Sequence, residues 1–354
     1  MTRIPSGNKP GKHAHSADPD TSAAAGADQP ARRKRRGTRV AVLAALSVLV
    51  LLGATVAAGF AVVNNMASNI PRLAVARLDS STGPVTRTHA DGQTILITGA
   101  GFGPTGSSAP GTSAPEPSGL IMLLHINADK KAGGVVSLPP TAVVAVPGHR
   151  TMQLEQALAL GGPSLLVQTV EQLTGAPVNH YARIDFQHVA AVVDAVGGVY
   201  VNVPEQDTSF SYTFHVGINH LDGVAALFYV RQQSLTETAR VLRQQSLIRA
   251  ILRKLASHRL LANPVTMFHV LSAVDSMLAV DSDFTNSDIE SLALQLGTLS
   301  GPDGTFLTAP TEAAGKQVIF NPQISAQLWQ AIRHDSIAAF AQQYPATLTP
   351  VAVP

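Results

Sequence analysis

The sequence predicts a three-layer α/β/α domain with a mixed central sheet, preceded by one transmembrane helix. Short, nearly all-apolar runs of the kind that form strands covered on both faces alternate with amphipathic stretches of helical period. Ahead of them lies one long uncharged apolar segment behind a block of basic residues. The composition is that of an ordinary globular chain: 45% hydrophobic and 14% charged, with 28 Gly and 23 Pro in 354 residues, which excludes collagen, coiled-coil and wholly disordered readings. The absence of Cys removes disulfides, thiolate metal sites and cysteine nucleophiles together.

Taken in chain order, residues 1–39 carry nine Lys or Arg against three Asp and no apolar period, and read as a disordered, basic cytoplasmic tail. The remaining sixteen basic and twenty acidic residues leave the main domain mildly acidic, so it lacks the basic face that nucleic acid requires. Val40–Val63 is 24 residues without a charge, enough at about 1.5 Å per residue to cross a hydrocarbon core of roughly 30 Å. A cleaved signal peptide would have an apolar core of only about 7–15 residues. Arg32-Arg33-Lys34-Arg35-Arg36 and Arg39 stand before the run, while the far flank has no basic residue until Arg72. The positive-inside rule therefore places the N-terminus in the cytoplasm and the C-terminal domain outside, on a single-pass plasma-membrane anchor. Residues 64–91 read as an extracytoplasmic linker, 92–335 as the domain, 103–119 as a flexible Gly/Ser/Pro-rich insertion in it, and 336–354 as a C-terminal tail.

Within the domain, Thr94–Thr98, Leu120–Ile126, Gly134–Leu138, Val199–Val203 and Ala226–Val230 are the strand candidates. Pro163 sits at a first helical position with a Thr174-Gly175 stop, and a second helix ends at Gly197-Gly198. Segments Asp288–Leu296 and Ile324–Ile332 read as later helices. A long helix begins near Ser234, whose spacing to Glu237 fits a capping box, and runs to about Ser257. Stepping about 100° per residue from Arg240, the side chains Leu247, Ile248, Ile251, Leu252 and Leu255 centre near 60° and form the buried face. Arg240 and Gln244 lie on that face, Arg243 borders it, and Arg249 and Arg253 point away as solvated charges. An inward arginine requires a partner. Arg231 follows the apolar run Ala226–Val230 and is expected at a strand's C-terminal edge, where α/β folds place ligands. Arg231, Arg240 and Arg243, with Gln244, thus read as a phosphate-type anion site; the competing reading pairs the arginines with internal carboxylates such as Asp185, Asp194 or Asp222.

The segments Ala159–Phe186, Val192–Pro204, His220–Gln232 and Arg240–Leu252 resemble the LytR-CpsA-Psr (LCP) family of envelope proteins. That resemblance implies an LCP-like fold and a role in cell-wall biogenesis. The implied reaction is transfer of a glycopolymer from a polyprenyl-pyrophosphate carrier to peptidoglycan, with a divalent metal such as Mg2+ and with arginines holding the pyrophosphate. The implied partners are that lipid-linked glycopolymer, peptidoglycan and the membrane; the losses described next add catalytically intact paralogues that such a protein would assist. The chain departs from the family's pattern at its acids. Where the family carries Gly-Ser-Asp-Ser-Arg this sequence has Gly99–Gly103, where it carries Arg-Ser-Asp-Thr there is Pro117–Leu120, and Pro-Arg-Asp has become Pro139-Pro140-Thr141. A Lys-x-Asn has become Gln153-Leu154-Glu155, Gln233 stands for an Arg and Ala239 for an Asp. Mg2+ needs hard oxygen ligands, so these losses point to a pseudoenzyme that binds the lipid-linked polymer with impaired catalysis. The alternative is an active phosphotransferase in which Glu116, Glu155 or Glu237 restores a carboxylate. An apolar pocket for the polyprenyl chain is expected between the sheet and one helix layer. Gly101–Gly106 matches G-x-G-x-x-G, but no helix follows to receive a dinucleotide. His215 and His220 lack metal spacing, and no G-x-S-x-G elbow supports a serine hydrolase.

Overall fold

The computed structural model describes residues 70–76, 92–100, 119–209, 212–232, 236–255, 264–289, 291–292, 295 and 304–352. The expected tail (1–39), membrane span (40–63) and, but for residue 119, insertion (103–119) lie outside them. Among the described residues no helix is long and apolar enough to cross a membrane.

Seven strands form the central sheet: β1 (Arg72–Leu73), β2 (Gln93–Ala100), β3 (Leu120–Ile126), β4 (Gly133–Ser137), β7 (His180–Asp185), β12 (Leu278–Asp281) and β13 (Gly304–Thr308). Their order is β1-β12-β7-β2-β3-β4-β13. β2 runs parallel to β7 and antiparallel to β3, so the sheet is mixed. Its strands feed two cores by strict alternation. Leu120, Met122, Leu124 and Ile126 face one core, and Ile121 and Leu123 face the other. That double burial is why Leu120–Ile126 reads as a continuous apolar run.

The second core is covered by α1 (Leu154–Thr174), α6 (Pro322–Arg333) and α7 (Ile337–Gln343). Helix α1 breaks at Gly161 and Gly162, restarts at Pro163 and stops at Gly175 with φ +63°, as the Pro and Gly positions foretell. Small hairpins, β5 (Val143–Val144) with β6 (Met152–Gln153) and β14 (Thr311–Ala314) with β15 (Gln317–Phe320), close this side. The first core is covered by α2 (Val189–Ala195), α3 (Gly223–Arg231), α4 (Glu237–Leu255) and α5 (Pro264–Met277). Two further hairpins belong here: β8 (Val199–Val203) with β11 (Gly217–Leu221), and β9 (Asp207–Ser209) with β10 (Tyr212–Phe214).

Four sequence expectations change. Ala226–Val230 is helix, not strand: Asp222 caps α3 by accepting from the Ala225 amide at 2.8 Å, and Ala225, Ala226, Tyr229 and Val230 bury a helical stripe. A five-residue apolar run carries no period of its own, so the flanking Asp-Gly decides. Val199–Val203 is a strand, but of a separate hairpin. Part of the supposed linker supplies β1, which pairs with β12. The supposed C-terminal tail folds: Ile337, Phe340 and Ala341 are core residues, and Leu348 and Ala352 bridge to Leu307 and Asn202. Of the expected helix at 288–296, residues 288, 289, 291, 292 and 295 are described and helical.

Candidate functional site

The strand polarities bring the C-terminal ends of β2, β4 and β7 and the start of β3 to one end of the sheet. Ala100 and Asp185 sit side by side there. Arg231, the last residue of α3, reaches the same end: burial lowers its pKa, and the nearby Asp185 carboxylate partly offsets that. Arg231 thus stands at a helix C-terminus and not at the strand edge that the sequence predicts. Asp185 also accepts from the Gln187 amide at 2.8 Å and lies 3.2 Å from His188.

Helix α4 starts at Glu237; residues 233–235, with the expected cap Ser234, lie outside the described residues. Thr236 provides the cap, accepting from the Ala239 amide at 3.2 Å. Arg240 is half-buried on the second turn. Gln244, four residues on, is fully buried, and among the described residues neither its Nε2 nor its Oε1 has a hydrogen-bond partner. An unsatisfied buried amide costs about 1–3 kcal/mol per group. One turn further, Leu247 and Ile248 open the wall of a cavity of about 170 Å³. Ile97 and Met122 of the sheet and Met277 of α5 face them, and every lining side chain is apolar. A dry cavity of this size accepts hydrocarbon. One stripe of α4 thus runs from guanidinium through amide to apolar wall.

Arg243 departs from the expectation. It is 1% exposed, and its Nη2 donates to Asp207 Oδ2 at 2.6 Å while its Nη1 donates to Gln232 Oε1. Its guanidinium also lies over the Tyr229 ring, 4.8 Å from the centroid. Gln232 Nε2 reaches Asp207 Oδ1 at 2.5 Å. Burial pushes the Asp207 pKa up, but the hydrogen bonds from Arg243 and Gln232 outweigh it and hold the carboxyl below its ordinary value. Arg243 is thus engaged internally, and its carboxylate is none of Asp185, Asp194 or Asp222. Asp207 sits in the polar stretch Pro204–Ser209, which carries no period by which sequence could have assigned it. Arg249, expected as a solvated charge, is half-buried over Phe306 and donates to the Thr349 and Pro350 carbonyls; burial and the neighbouring Arg253 push its pKa down to about 10. The folded C-terminal segment is what covers it. Gln245 is tied to Leu307 and to Thr349 in the same way.

Gly99 stands at the same end of the sheet as Asp185, and Pro140 and Thr141 follow β4 at that end. Among the described residues no three His, Asp or Glu side chains group as a metal site. Asp185, at the end of β7, is a carboxylate at this end of the sheet, and Mg2+ is commonly held by one or two carboxylates together with substrate phosphates. Glu155 lies on the first turn of α1, its amide bonded to the Pro140 carbonyl; Glu116 and the Glu237 side chain are outside the described residues.

The profile of the LytR_cpsA_psr family matches residues 61–325, well over half of the chain. The chain belongs to that family. Among its relatives, LcpB of Corynebacterium glutamicum is 37% identical over 156 residues, covering 43% of this chain and 37% of its own. The polyisoprenyl-teichoic acid–peptidoglycan teichoic acid transferase TagU of Enterococcus faecalis is 30% identical over 212 residues, covering 58% of this chain and 66% of its own. The LCP chain therefore spans less than two thirds of either relative. Its fold is that of solved LCP structures. A LytR-Csp2A-Psr enzyme from Actinomyces oris superposes with a TM-score of 0.60 at 20% identity, covering 75% of this chain and 96% of its own. TagT bound to LI-WTA gives 0.57 at 22%, covering 75% and 99%. By their names, TagU is a teichoic acid–peptidoglycan transferase and LcpB a probable cell wall biosynthesis protein.

Proposed function

We propose that this LCP protein is a membrane-anchored, extracytoplasmic protein of cell-wall biogenesis that binds a polyprenyl-pyrophosphate-linked glycopolymer and transfers it slowly or not at all. The observation that carries this reading is the graded stripe of α4: Arg240, then the unpartnered Gln244, then the cavity wall of Leu247, Ile248, Ile251 and Leu255. It matches, in order, an anionic head and a hydrocarbon tail. Arg231 and Arg240 supply the cationic end and Gln244 a donor to phosphate oxygen. Arg243 is a positioning residue: through Asp207 and Gln232 it ties α4 to α3 and β9. Met122 and Met277 are pliable walls that can part for a branched chain. Impaired transfer follows from the acids replaced at the sheet end, since charge developing on the leaving phosphate would meet few electrophilic partners.

The test is a titration of the full chain in detergent with polyprenyl pyrophosphate bearing a short glycopolymer, with Mg2+ and with EDTA. The reading expects binding that is nearly indifferent to metal and no release of polyprenyl phosphate when peptidoglycan is added. Metal-dependent binding, or transfer at the rate of TagU, would overturn it in favour of an active phosphotransferase. The presence of Asp185 beside Arg231 is the observation that favours that second reading. Catalytically intact paralogues remain the proposed partners that would complete the transfer.

A further inference from the structure

Segment 348–352 crosses α4 on the flank away from Arg243. Leu348 bridges to Leu307 of β13 and Ala352 to Asn202 of β8, and between them the Thr349 amide donates to the Phe306 carbonyl at 2.9 Å. Helix α4 meets the segment with two side chains one turn apart. Gln245 accepts from the Thr349 hydroxyl and donates to the Leu307 carbonyl at 2.8 Å. Arg249 donates to the Thr349 and Pro350 carbonyls at 3.1 and 3.4 Å and lies over the Phe306 ring. On the helical wheel Arg243 stands about 120° to one side of the centre of the Gln244–Leu255 stripe, and Gln245 and Arg249 about 80–120° to the other. The first half of the stripe is thus pinned along both edges. Residues 243–247 are all buried, whereas 248–255 are partly buried or exposed except for Ile251. Among the described residues, positions 250–255 make no hydrogen bond or ion pair outside the helix, and Ile251, Leu252 and Leu255 line the cavity.

The size of the cavity makes that difference matter. A dry cavity of about 150 Å³ holds one benzene ring, so one of about 170 Å³ takes only the first isoprene units of a polyprenyl tail, and a longer tail needs a wall that moves. The other walls are held. Strands β2, β3, β4 and β7 lie inside the sheet, Asp194 at the end of α2 accepts from the Gly223 amide at 2.8 Å, and α5 runs directly into β12. Local opening goes where buried contacts and fixed hydrogen bonds are few, and that leaves residues 250–255. We infer that segment 348–352 is a strap that fixes the head-binding half of α4, with Arg249 and Thr349 as positioning residues for Gln244, and that α4 lifts from the sheet only beyond Arg249 to admit the lipid tail. The inference rests on the site reading given above and adds to it the moving wall and what restrains it.

Amide hydrogen exchange of the full-length protein in detergent, read by mass spectrometry along α4, tests it beside a titration with polyprenyl pyrophosphate. In the ligand-free wild type, amides 250–255 should exchange about tenfold or more faster than 243–249. Polyprenyl pyrophosphate should slow 250–255, and inorganic pyrophosphate should not. Arg249→Met keeps a side chain over Phe306 but loses the bonds to the strap; it should bring 243–249 to the rate of 250–255, leave α1 and α6 unchanged, and weaken lipid binding about fivefold or more. Thr349→Val should act in the same direction by about twofold, and Thr349→Ser, which keeps the hydroxyl, should behave as the wild type. Unchanged exchange at 243–249 in both Arg249→Met and Thr349→Val, or faster exchange there with undiminished lipid affinity, overturns this inference and leaves the site reading standing. Lipid that fails to slow 250–255, or exchange that rises in α1 and α6 as much as in α4, overturns it likewise, the last by making the segment a brace of the whole domain. A wild type that does not bind polyprenyl pyrophosphate overturns the site reading and this inference with it.

Discussion

Replacing Asp207 with Asn removes the carboxylate that neutralises Arg243 and leaves most of the shape intact. Arg243 is 2% exposed in its side chain and Asp207 25%, so the cation is left in a nearly dry site. Removing one partner of a buried pair costs about 3–5 kcal/mol. The partial exposure of Asp207 and the contacts that Arg243 keeps with Gln232 and Tyr229 reduce this to about 2–3 kcal/mol. Urea denaturation read at constant m measures it. The pH dependence has a defined sign. Because the folded Asp207 pKa lies below its ordinary value of 3.8, the pair's contribution is fully present above about pH 4 and is lost as pH falls through the folded value. The penalty of the substitution should therefore be constant from pH 7 to 5 and shrink in stronger acid. A loss below about 0.5 kcal/mol at pH 7, the size of an exposed pair, would refute the assignment of Arg243 as an internally engaged charge.

Gln244→Leu should stabilise the unliganded protein by about 1 kcal/mol, because it removes an unsatisfied amide, and should weaken polyprenyl pyrophosphate binding roughly tenfold; a denaturation curve and a titration on one sample decide both. Ile251→Phe places a ring in the cavity, so stability should stay within about 1.5 kcal/mol of wild type while the lipid is excluded and inorganic pyrophosphate is not. His125 is buried between Thr94 and Asp335, with Nδ1 2.9 Å from Thr94 Oγ1 and Nε2 2.7 Å from Asp335 Oδ1. Burial lowers its pKa from 6.5 despite the Asp335 carboxylate, so stability should decline as pH falls below 6.5, where the unfolded chain takes up a proton first. That segment of the decline should be missing in His125→Gln. Because the chain has no Cys, Ser16→Cys and Lys131→Cys report topology: an impermeant maleimide should label intact cells only at the second.

Much of the fold is legible because its devices are local. Double burial makes Leu120–Ile126 unmistakable, and Pro163, Gly175 and the Gly197-Gly198 pair punctuate helices wherever they fall. The errors lie where a tertiary partner decides. Ala226–Val230 is too short to show a period, and its helix depends on the Asp222 cap and on Gly223, whose missing Cβ would stand 2.3 Å from the Ala190 carbonyl oxygen. Strands such as His180–Asp185 carry polar residues at their ends and give a weak alternation. At the site, the helical wheel put Gln244 and the cavity wall on one face, and the structure keeps them there. It could not show that Asp207, from a hairpin, would engage Arg243, or that residues 349–350 would cover Arg249. Those contacts join segments 36 and about 100 residues apart, and nothing periodic in the sequence announces them.

The account's central claim is that one stripe of α4 holds the head of a lipid pyrophosphate at Arg240 and Gln244 and its tail along Leu247–Leu255. A polyprenyl pyrophosphate with a diazirine midway along its tail, photolysed on the full-length protein and mapped by mass spectrometry, tests it most directly. Adducts should fall on Ile251, Leu252, Leu255 or Met277 and disappear with excess unlabelled lipid or with Ile251→Phe. Adducts confined to exposed residues outside the first core, or adducts that excess lipid does not reduce, would contradict it.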